Sequence, residues 1–458
     1  MLERYFATCF KFVFVKIYLM SFSNCDDKMS ENIFKNTYWM IIDKLVSVFL
    51  LTLVNFFIIR TLGPELFGTL SYAQSFVALF LSISLFGLEV VTTKLLVNSD
   101  MAHKANVIVN SLYIRLIASF TSCVLINLTS FIYIQDEYTR KIIFILSISL
   151  IFNMSDIFLY YFNSLSLSSK IIPYKITVTI IVNAMKVGLI YSSPNVLTLS
   201  SLIVLESMLV MIAYASVFRS EKIINGFNFN INKKLIRNIA TEAWPLILSG
   251  AIVTAYMKMD QIMIDYFLNK ERVGVYAAAV KISEAWFFIP IAVASSTYPI
   301  IIKSKKNPDL YEEKMKILYS CNIWLSMFVF LFFFFTSDFI INLVFGSEFN
   351  DSVNVLKILA FAGVMVSIGV TNTNWLMSQG LQKINLINKI IGLMFNFFLN
   401  YKLIPKYGIN GAAISTVISY TISNFLVLLS NSKTRVSFFM ILKSLDVRLI
   451  YKIKELKK

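Results

Sequence analysis

The chain has 458 residues, of which 57% are hydrophobic and only 15% charged, with a formal net charge of +16 and a strongly positive mean hydropathy. That balance belongs to polytopic membrane proteins and excludes an ordinary soluble domain. Four cysteines without paired spacing (Cys9, Cys25, Cys123, Cys321) and a single histidine, His103, exclude a Cys/His metal site and argue against a disulfide framework.

In chain order, residues 1–28 hold a short apolar run, Phe12 to Met20, too short to span and without a small-residue cleavage pattern. Two readings stay open for it: translation beginning at Met29, or an interfacial anchor helix. Twelve apolar stretches follow, at 38–60, 68–97, 107–134, 141–163, 172–191, 197–218, 240–268, 273–302, 317–336, 353–378, 384–401 and 410–431. Roughly 20 apolar residues suffice for a helix to cross about 30 Å of hydrocarbon. These runs are too long for barrel strands, and backbone in lipid must satisfy itself, so an all-α polytopic membrane fold is expected.

The basic residues follow topology rather than a nucleic-acid footprint. Of 42 Lys and Arg, 29 fall on one alternate set of connections and tails and 7 on the other. Positive segments stay inside, so both termini are expected to be cytoplasmic, which an even number of spans allows. The loop 337–352, with Asp338, Glu348 and Asp351 and no Lys or Arg, then faces outward.

The connection after the first span reads Leu62-Gly63-Pro64-Glu65-Leu66-Phe67-Gly68. The one after the seventh reads Leu268-Asn269-Lys270-Glu271-Arg272-Val273-Gly274. Leu, Glu and Gly coincide at an offset of 206 residues, which maps span one onto span seven and divides the chain into six plus six. The expected organisation is an N-terminal cytoplasmic segment (1–37), a six-helix bundle (38–218) and a central cytoplasmic loop (219–239). A second six-helix bundle (240–431) and a basic cytoplasmic tail (432–458) complete it. Repeats pointing the same way are common in transporters, with a cavity where the halves meet.

Ionisable groups at membrane depth are expensive and usually face a cavity or a partner. Lys258, Asp260 and Asp265 fall in span seven, with Lys258 and Asp265 two turns apart on one face. Lys281 and Glu284 in span eight are spaced to pair on one helix. The first bundle contributes Asp43, Lys44, Glu89, Arg115, Asp156, Lys186 and Glu206. The run Thr371-Asn372-Thr373-Asn374-Trp375 in span ten offers donors, acceptors and an aromatic face for a sugar.

Phe57-Ile58-Ile59-Arg60-Thr61-Leu62-Gly63-Pro64-Glu65-Leu66-Phe67-Gly68 resembles the first connection of bacterial polysaccharide repeat-unit flippases, the O-antigen translocases. Gly274-Val275-Tyr276-Ala277-Ala278-Ala279, with Pro290 and Tyr298-Pro299, is similar to the same family. So is Pro405-Lys406-Tyr407-Gly408-Ile409-Asn410-Gly411-Ala412-Ala413. The resemblance covers about Ser30 to Asn431 and places the chain in the multidrug/oligosaccharidyl-lipid/polysaccharide exporter superfamily. It implies two six-helix bundles around a central cavity bordered by spans one, two, seven and eight. It also implies a non-enzymatic flippase for polyprenyl diphosphate-linked oligosaccharide in a bacterial inner membrane, serving O-antigen and lipopolysaccharide biosynthesis, alongside other polysaccharide-assembly membrane proteins. Under that reading Lys44, Arg115, Lys258 and Lys281 are counter-charges for the diphosphate, with Asn372, Asn374 and Trp375 as sugar contacts. Asp260, Asp265, Glu284, Asp43 and Glu89 are then candidates for a coupling proton or sodium ion, with no other cofactor expected. Two alternatives remain: an ion-coupled multidrug exporter of the same superfamily, and a membrane glycan enzyme such as a repeat-unit polymerase. The mixed charge with several deep lysines speaks against the first. The absence of a nucleophile constellation or a large outer loop speaks against the second.

Overall fold

The computed structural model describes residues 27–97, 99–192, 194–220 and 231–451. The readings of residues 1–26 and of 221–230 in the central loop lie outside the described residues. Sixteen α-helices follow one another among them: α1 (Asp27–Leu79), α2 (Leu81–Leu85), α3 (Leu88–Val97), α4 (Met101–Tyr133), α5 (Glu137–Phe152), α6 (Asp156–Ser164), α7 (Ile172–Ser192) and α8 (Val196–Ser220). The second series is α9 (Lys233–Phe267), α10 (Lys270–Glu284), α11 (Phe288–Lys303), α12 (Pro308–Val344), α13 (Ser352–Ser378), α14 (Gln382–Asn424), α15 (Ser432–Lys443) and α16 (Arg448–Tyr451). No described residue lies in a strand, in agreement with the all-α expectation.

Ten helical segments are long and apolar enough to cross a membrane. Two of them are too long to be one crossing, and glycine explains both. In α1 the helix is interrupted at Gly63 (φ 70°), and in α14 at Gly408 (φ 59°). Glycine visits positive φ without the steric cost of a Cβ, and Pro64 restarts the helix with φ already set. Gly411 sits so close to the carbonyl of Leu403 that a Cβ there would lie 2.2 Å from its oxygen, so the turn at Gly408 is tight. Counting each bent segment as two arms recovers the twelve spans expected.

Other spans are interrupted at depth. Span two breaks at Phe86 and Gly87, both with positive φ, between α2 and α3. Span four passes through a 3-10 turn at Asn153–Ser155 between α5 and α6. Span eight breaks after Glu284, where α10 gives way to α11. Irregular backbone at membrane depth is tolerated only where protein or a cavity covers it, so these breaks are the places to look for function.

Packing divides the chain into two compact units, Asp27–Ala277 and the described residues from Ala278 onward. The sequence repeat places its division in the 219–239 loop, whereas the packing boundary falls inside α10. The first unit has a core of Leu88, Val107, Ile157, Tyr161, Tyr214 and Ile239. The core of the second unites Met315, Leu318, Tyr319, Trp375 and Leu376 with Met440 and Ile441 of α15. The segment expected as a tail therefore begins as a docked helix. The loop expected to face outward is also shorter than expected, because α12 continues to Val344. Its phenylalanines Phe332, Phe334 and Phe335 are exposed, as lipid-facing residues should be.

Candidate functional site

The two repeated connections meet. A Cβ on Gly68 would lie 1.7 Å from the Lys270 carbonyl oxygen, and one on Gly274 would lie 1.9 Å from the Pro64 carbonyl oxygen. Position 64 corresponds to 270 and position 68 to 274 at the offset of 206, so the contact is reciprocal. Each connection presents a glycine to the other's carbonyl at a distance no side chain permits. The glycines that mark the repeat in sequence thus have a physical reason: they let α1 and α10 touch backbone to backbone.

Lys270 anchors the same region. Its Nζ lies 2.7 Å from Asp265 Oδ2 and 3.1 Å from the centroid of the Tyr72 ring, an ion pair reinforced by a cation–π contact. Asp136, in the connection between α4 and α5, feels the same ammonium. Partial burial pushes its carboxyl up. The hydroxyl and amide of Thr139, the Tyr138 amide and the Lys270 charge outweigh this and hold it below the usual carboxylate range.

Several in-span charges of the first unit are paired. Asp43 pairs with Lys175 of α7 at 2.7 Å and accepts a hydrogen bond from Ser47. Lys186 and Glu206 join α7 to α8 at 2.7 Å. Arg115 of α4 is fully buried, and its Nη2 donates to the Asn153 carbonyl and to Asp156 Oδ2, both at 3.4 Å. It therefore holds the break in span four, satisfying a carbonyl and facing the first carboxylate of α6. Its Nε and Nη1 bond no described group. Glu89, exposed in the first turn of α3, lies within electrostatic reach of Asp156. Lys44 is exposed.

In α9, Asp260 is buried and accepts a hydrogen bond from the Tyr276 hydroxyl at 2.6 Å. Asp265 turns to Lys270 rather than serving the face it shares with Lys258. Lys258 is half-buried, and its ammonium makes no hydrogen bond or ion pair with any described residue. It stands about 14 Å along the axis from the Phe267 end of the helix, at 1.5 Å per residue. That is nearer this end than the Lys233 start of the helix.

Two expectations for the second unit are corrected. Lys281 and Glu284 do not pair with each other: Glu284 ends α10 at the break, half-buried, with its carboxylate bonded to no described residue. The run in span ten faces the helix packing. Trp375 is 4% exposed within the core. Asn372 Oδ1 accepts from Tyr319 at 3.3 Å and from Ser437 of α15 at 2.8 Å, and Thr371 accepts from Asn322 at 2.8 Å. Asn374 donates to the Ala294 carbonyl at 3.2 Å. Hydroxyls and amides on this face are consumed joining helices, which is how polar groups usually act between membrane helices.

One deep cation escaped the sequence reading. Lys389, within the stretch 384–401, lies inside α14, and its Nζ donates to Asn424 Oδ1 at 2.6 Å. Its position a turn or two inside the helix start hid it, since a basic residue near a span end reads as loop charge.

Comparison with known proteins agrees with this architecture. The chain is 22% identical over 400 residues to the capsular polysaccharide biosynthesis protein CapF of Staphylococcus aureus, covering 86% of this chain and 97% of that one. It is 32% identical over 181 residues to a probable low-salt glycan biosynthesis flippase, Agl15, of Haloferax volcanii, covering 37% of this chain and 37% of that relative's length. Among solved structures it superposes on an inward-facing multidrug resistance transporter of the MATE family with a TM-score of 0.67 at 14% identity, covering 90% and 95% of the two chains. It superposes on the lipid II flippase MurJ, inward closed, with a TM-score of 0.66 at 16% identity, covering 91% and 93%. These structures establish the shared fold. The MatE profile matches residues 245–402. The profile described as polysaccharide biosynthesis protein matches residues 33–305, well over half of the sequence, and the chain belongs to that family.

Proposed function

We propose that this chain is a flippase that carries a polyprenyl diphosphate-linked oligosaccharide across the membrane by alternating access of its helical bundles. The observation that carries the reading is Lys258, an in-span ammonium bonded to no described residue, in a chain where Arg115, Lys186 and Lys270 each face a carboxylate. An unmatched charge at depth costs a few kcal/mol, and a diphosphate would offset that through charge-assisted hydrogen bonds. Lys281, Lys44 and Lys389 are further counter-charges along the path. Arg115 is better placed to hold the broken span four than to reach cargo.

The names of the relatives CapF and Agl15 support a surface-glycan cargo. With both termini cytoplasmic, as the charge distribution favours, the headgroup enters from the cytoplasm and leaves to the periplasm of a bacterial inner membrane. An O-antigen repeat unit is the cargo proposed. No covalent bond is made or broken in this cycle, so the chain acts as a transporter and not an enzyme. Coupling to a proton or sodium ion falls to Asp260, Glu284 and Glu89. Asp43 and Asp265 are weaker candidates because lysines already neutralise them.

The test is surface-polysaccharide profiling of a deletion strain complemented with wild type, Lys258→Ala or Lys258→Arg. The expected result is loss of surface polymer on deletion, with lipid-linked units accumulating on the cytoplasmic side. Wild type should restore polymer, Lys258→Ala should not, and Lys258→Arg should do so in part. Unchanged polymer in a strain without redundant flippases would sink the reading in favour of an exporter. Units that cross but stay unpolymerised would point to an enzyme.

A further inference from the structure

The helix α15 has two faces of different character. Its inward face holds Thr434, Ser437, Phe438 and Ile441, all buried. Phe438 stacks on Phe425 with ring centroids 4.6 Å apart, and Thr434 Oγ1 donates to the Leu428 carbonyl at 2.7 Å. Arg435 Nε donates to the Leu429 carbonyl at 2.9 Å. The Asn431 side chain caps the helix by accepting from the Lys433 amide. These contacts fix α15 rigidly against the end of the last membrane segment, which closes at Ser430.

The outward face carries Val436, Phe439 and Leu442, each three residues after the last and therefore one stripe, at 52%, 53% and 41% exposure. Lys433, Arg435 and Lys443 flank them and are exposed too. Water would make three exposed large apolar side chains on one turn-to-turn stripe unfavourable. The hydrocarbon core would reject the three cations. One environment accepts both at once, the boundary between acyl chains and headgroups. The location supplies that boundary, since Asn431 alone separates α15 from the last span.

We propose that the outward face of α15 binds anionic phospholipid headgroups at the end of the last span, in the cytoplasmic leaflet under the topology above. Val436, Phe439 and Leu442 insert at the acyl boundary, and Lys433, Arg435 and Lys443 meet the phosphates. The inward face carries this contact to span ten through the Ser437–Asn372 hydrogen bond. The proposal needs neither cargo nor transport, so it stands or falls apart from the flippase reading.

The full chain, reconstituted in nanodiscs of phosphatidylcholine with or without phosphatidylglycerol, provides the test by thermal unfolding. The expected result is a midpoint raised by about 3 °C by phosphatidylglycerol. Lys433→Gln/Lys443→Gln should lose most of that increment and keep the phosphatidylcholine midpoint, because neither side chain bonds another described residue. The single variant Lys443→Gln, expected to lose about a third, serves if the double variant fails to fold. Full retention of the increment in these variants would overturn the proposal. So would an equal increment from soluble glycerol phosphate, which would mean a small-anion site. An increment that appears only as copies associate, measured by cross-linking, would assign the face to a second copy and overturn it as well.

Discussion

In the unit Asp27–Ala277, helices are joined by ion pairs as well as by neutral bonds such as Ser84 to Ser119: Asp43 pairs with Lys175, Lys186 with Glu206 and Asp265 with Lys270 at 2.7 Å, and Arg115 with Asp156 at 3.4 Å. In the unit from Ala278 onward, α12, α13 and α15 are joined by neutral groups: Tyr319 and Ser437 to Asn372, Asn322 to Thr371, and Ser326 to Ser367. The two chemistries respond differently to damage. Removing one member of a buried ion pair strands a charge that has lost its solvent. Removing one hydroxyl from a network leaves neutral groups that find other partners, which is why such bonds in membranes average about 0.6 kcal/mol. The first unit should therefore break sharply and the second yield gradually.

The largest effect is expected at Arg115. Arg115→Met strands Asp156 and uncovers the Asn153 carbonyl, and should cost about 3 kcal/mol in unfolding of the purified protein. Arg115→Met/Asp156→Leu should cost less than Arg115→Met alone, since no charge is left behind. A double variant worse than the single would break the comparison, because the pair would then not be the unit that matters.

Next in size are the repeated glycines. Gly68→Ala and Gly274→Ala each drive a Cβ into a carbonyl oxygen, and overpacking of this kind costs about 1–3 kcal/mol. Here the obstacle is backbone, so the upper end of that range is expected. Both variants open the same contact, so Gly68→Ala/Gly274→Ala should cost clearly less than the two added together. Full additivity, measured by thermal unfolding of the three variants, would mean that the two connections act separately.

The span pattern was legible in the sequence because one physical variable, apolar length, decides it; the two bends came with Gly63-Pro64 and Gly408 in plain view. The glycine repeat was equally legible, though its reciprocal contact was not, since three matched letters say nothing about distance. Charge partners were mostly hidden. Lys258 and Asp265 share a face by spacing, yet Asp265 turns to Lys270 because that ammonium, five residues on, lies beyond the helix end and is free to fold back. Asn372 and Trp375 looked like sugar contacts because their chemistry suits sugars, but the same chemistry suits a helix seam. Which of the two applies depends on α15, a helix that the basic composition of 432–458 disguised as a tail. Lys389, near the start of its span, was not singled out because a basic residue there looks like loop charge.

The smallest expected effect tests the neutral side of the comparison. Ser437→Ala removes the 2.8 Å bond to Asn372 and the 2.9 Å contact with the Tyr319 hydroxyl, and leaves the Asn372 amide oxygen and the Tyr319 hydroxyl with each other at 3.3 Å. Because an acceptor remains satisfied, the cost should be about 0.6 kcal/mol, several-fold below that of Arg115→Met. Asn372→Ala removes the acceptor from both hydroxyls and should cost more than Ser437→Ala, with Tyr319→Phe in between. Were Ser437→Ala to rival Arg115→Met, the hydroxyl would have to be holding more than its own bond. Ser437 joins α15 to α12 and α13, so the whole helix would then have left its seat. Limited proteolysis after Asn431 separates these cases: a local loss leaves the α15 segment protected, whereas undocking exposes it to cleavage.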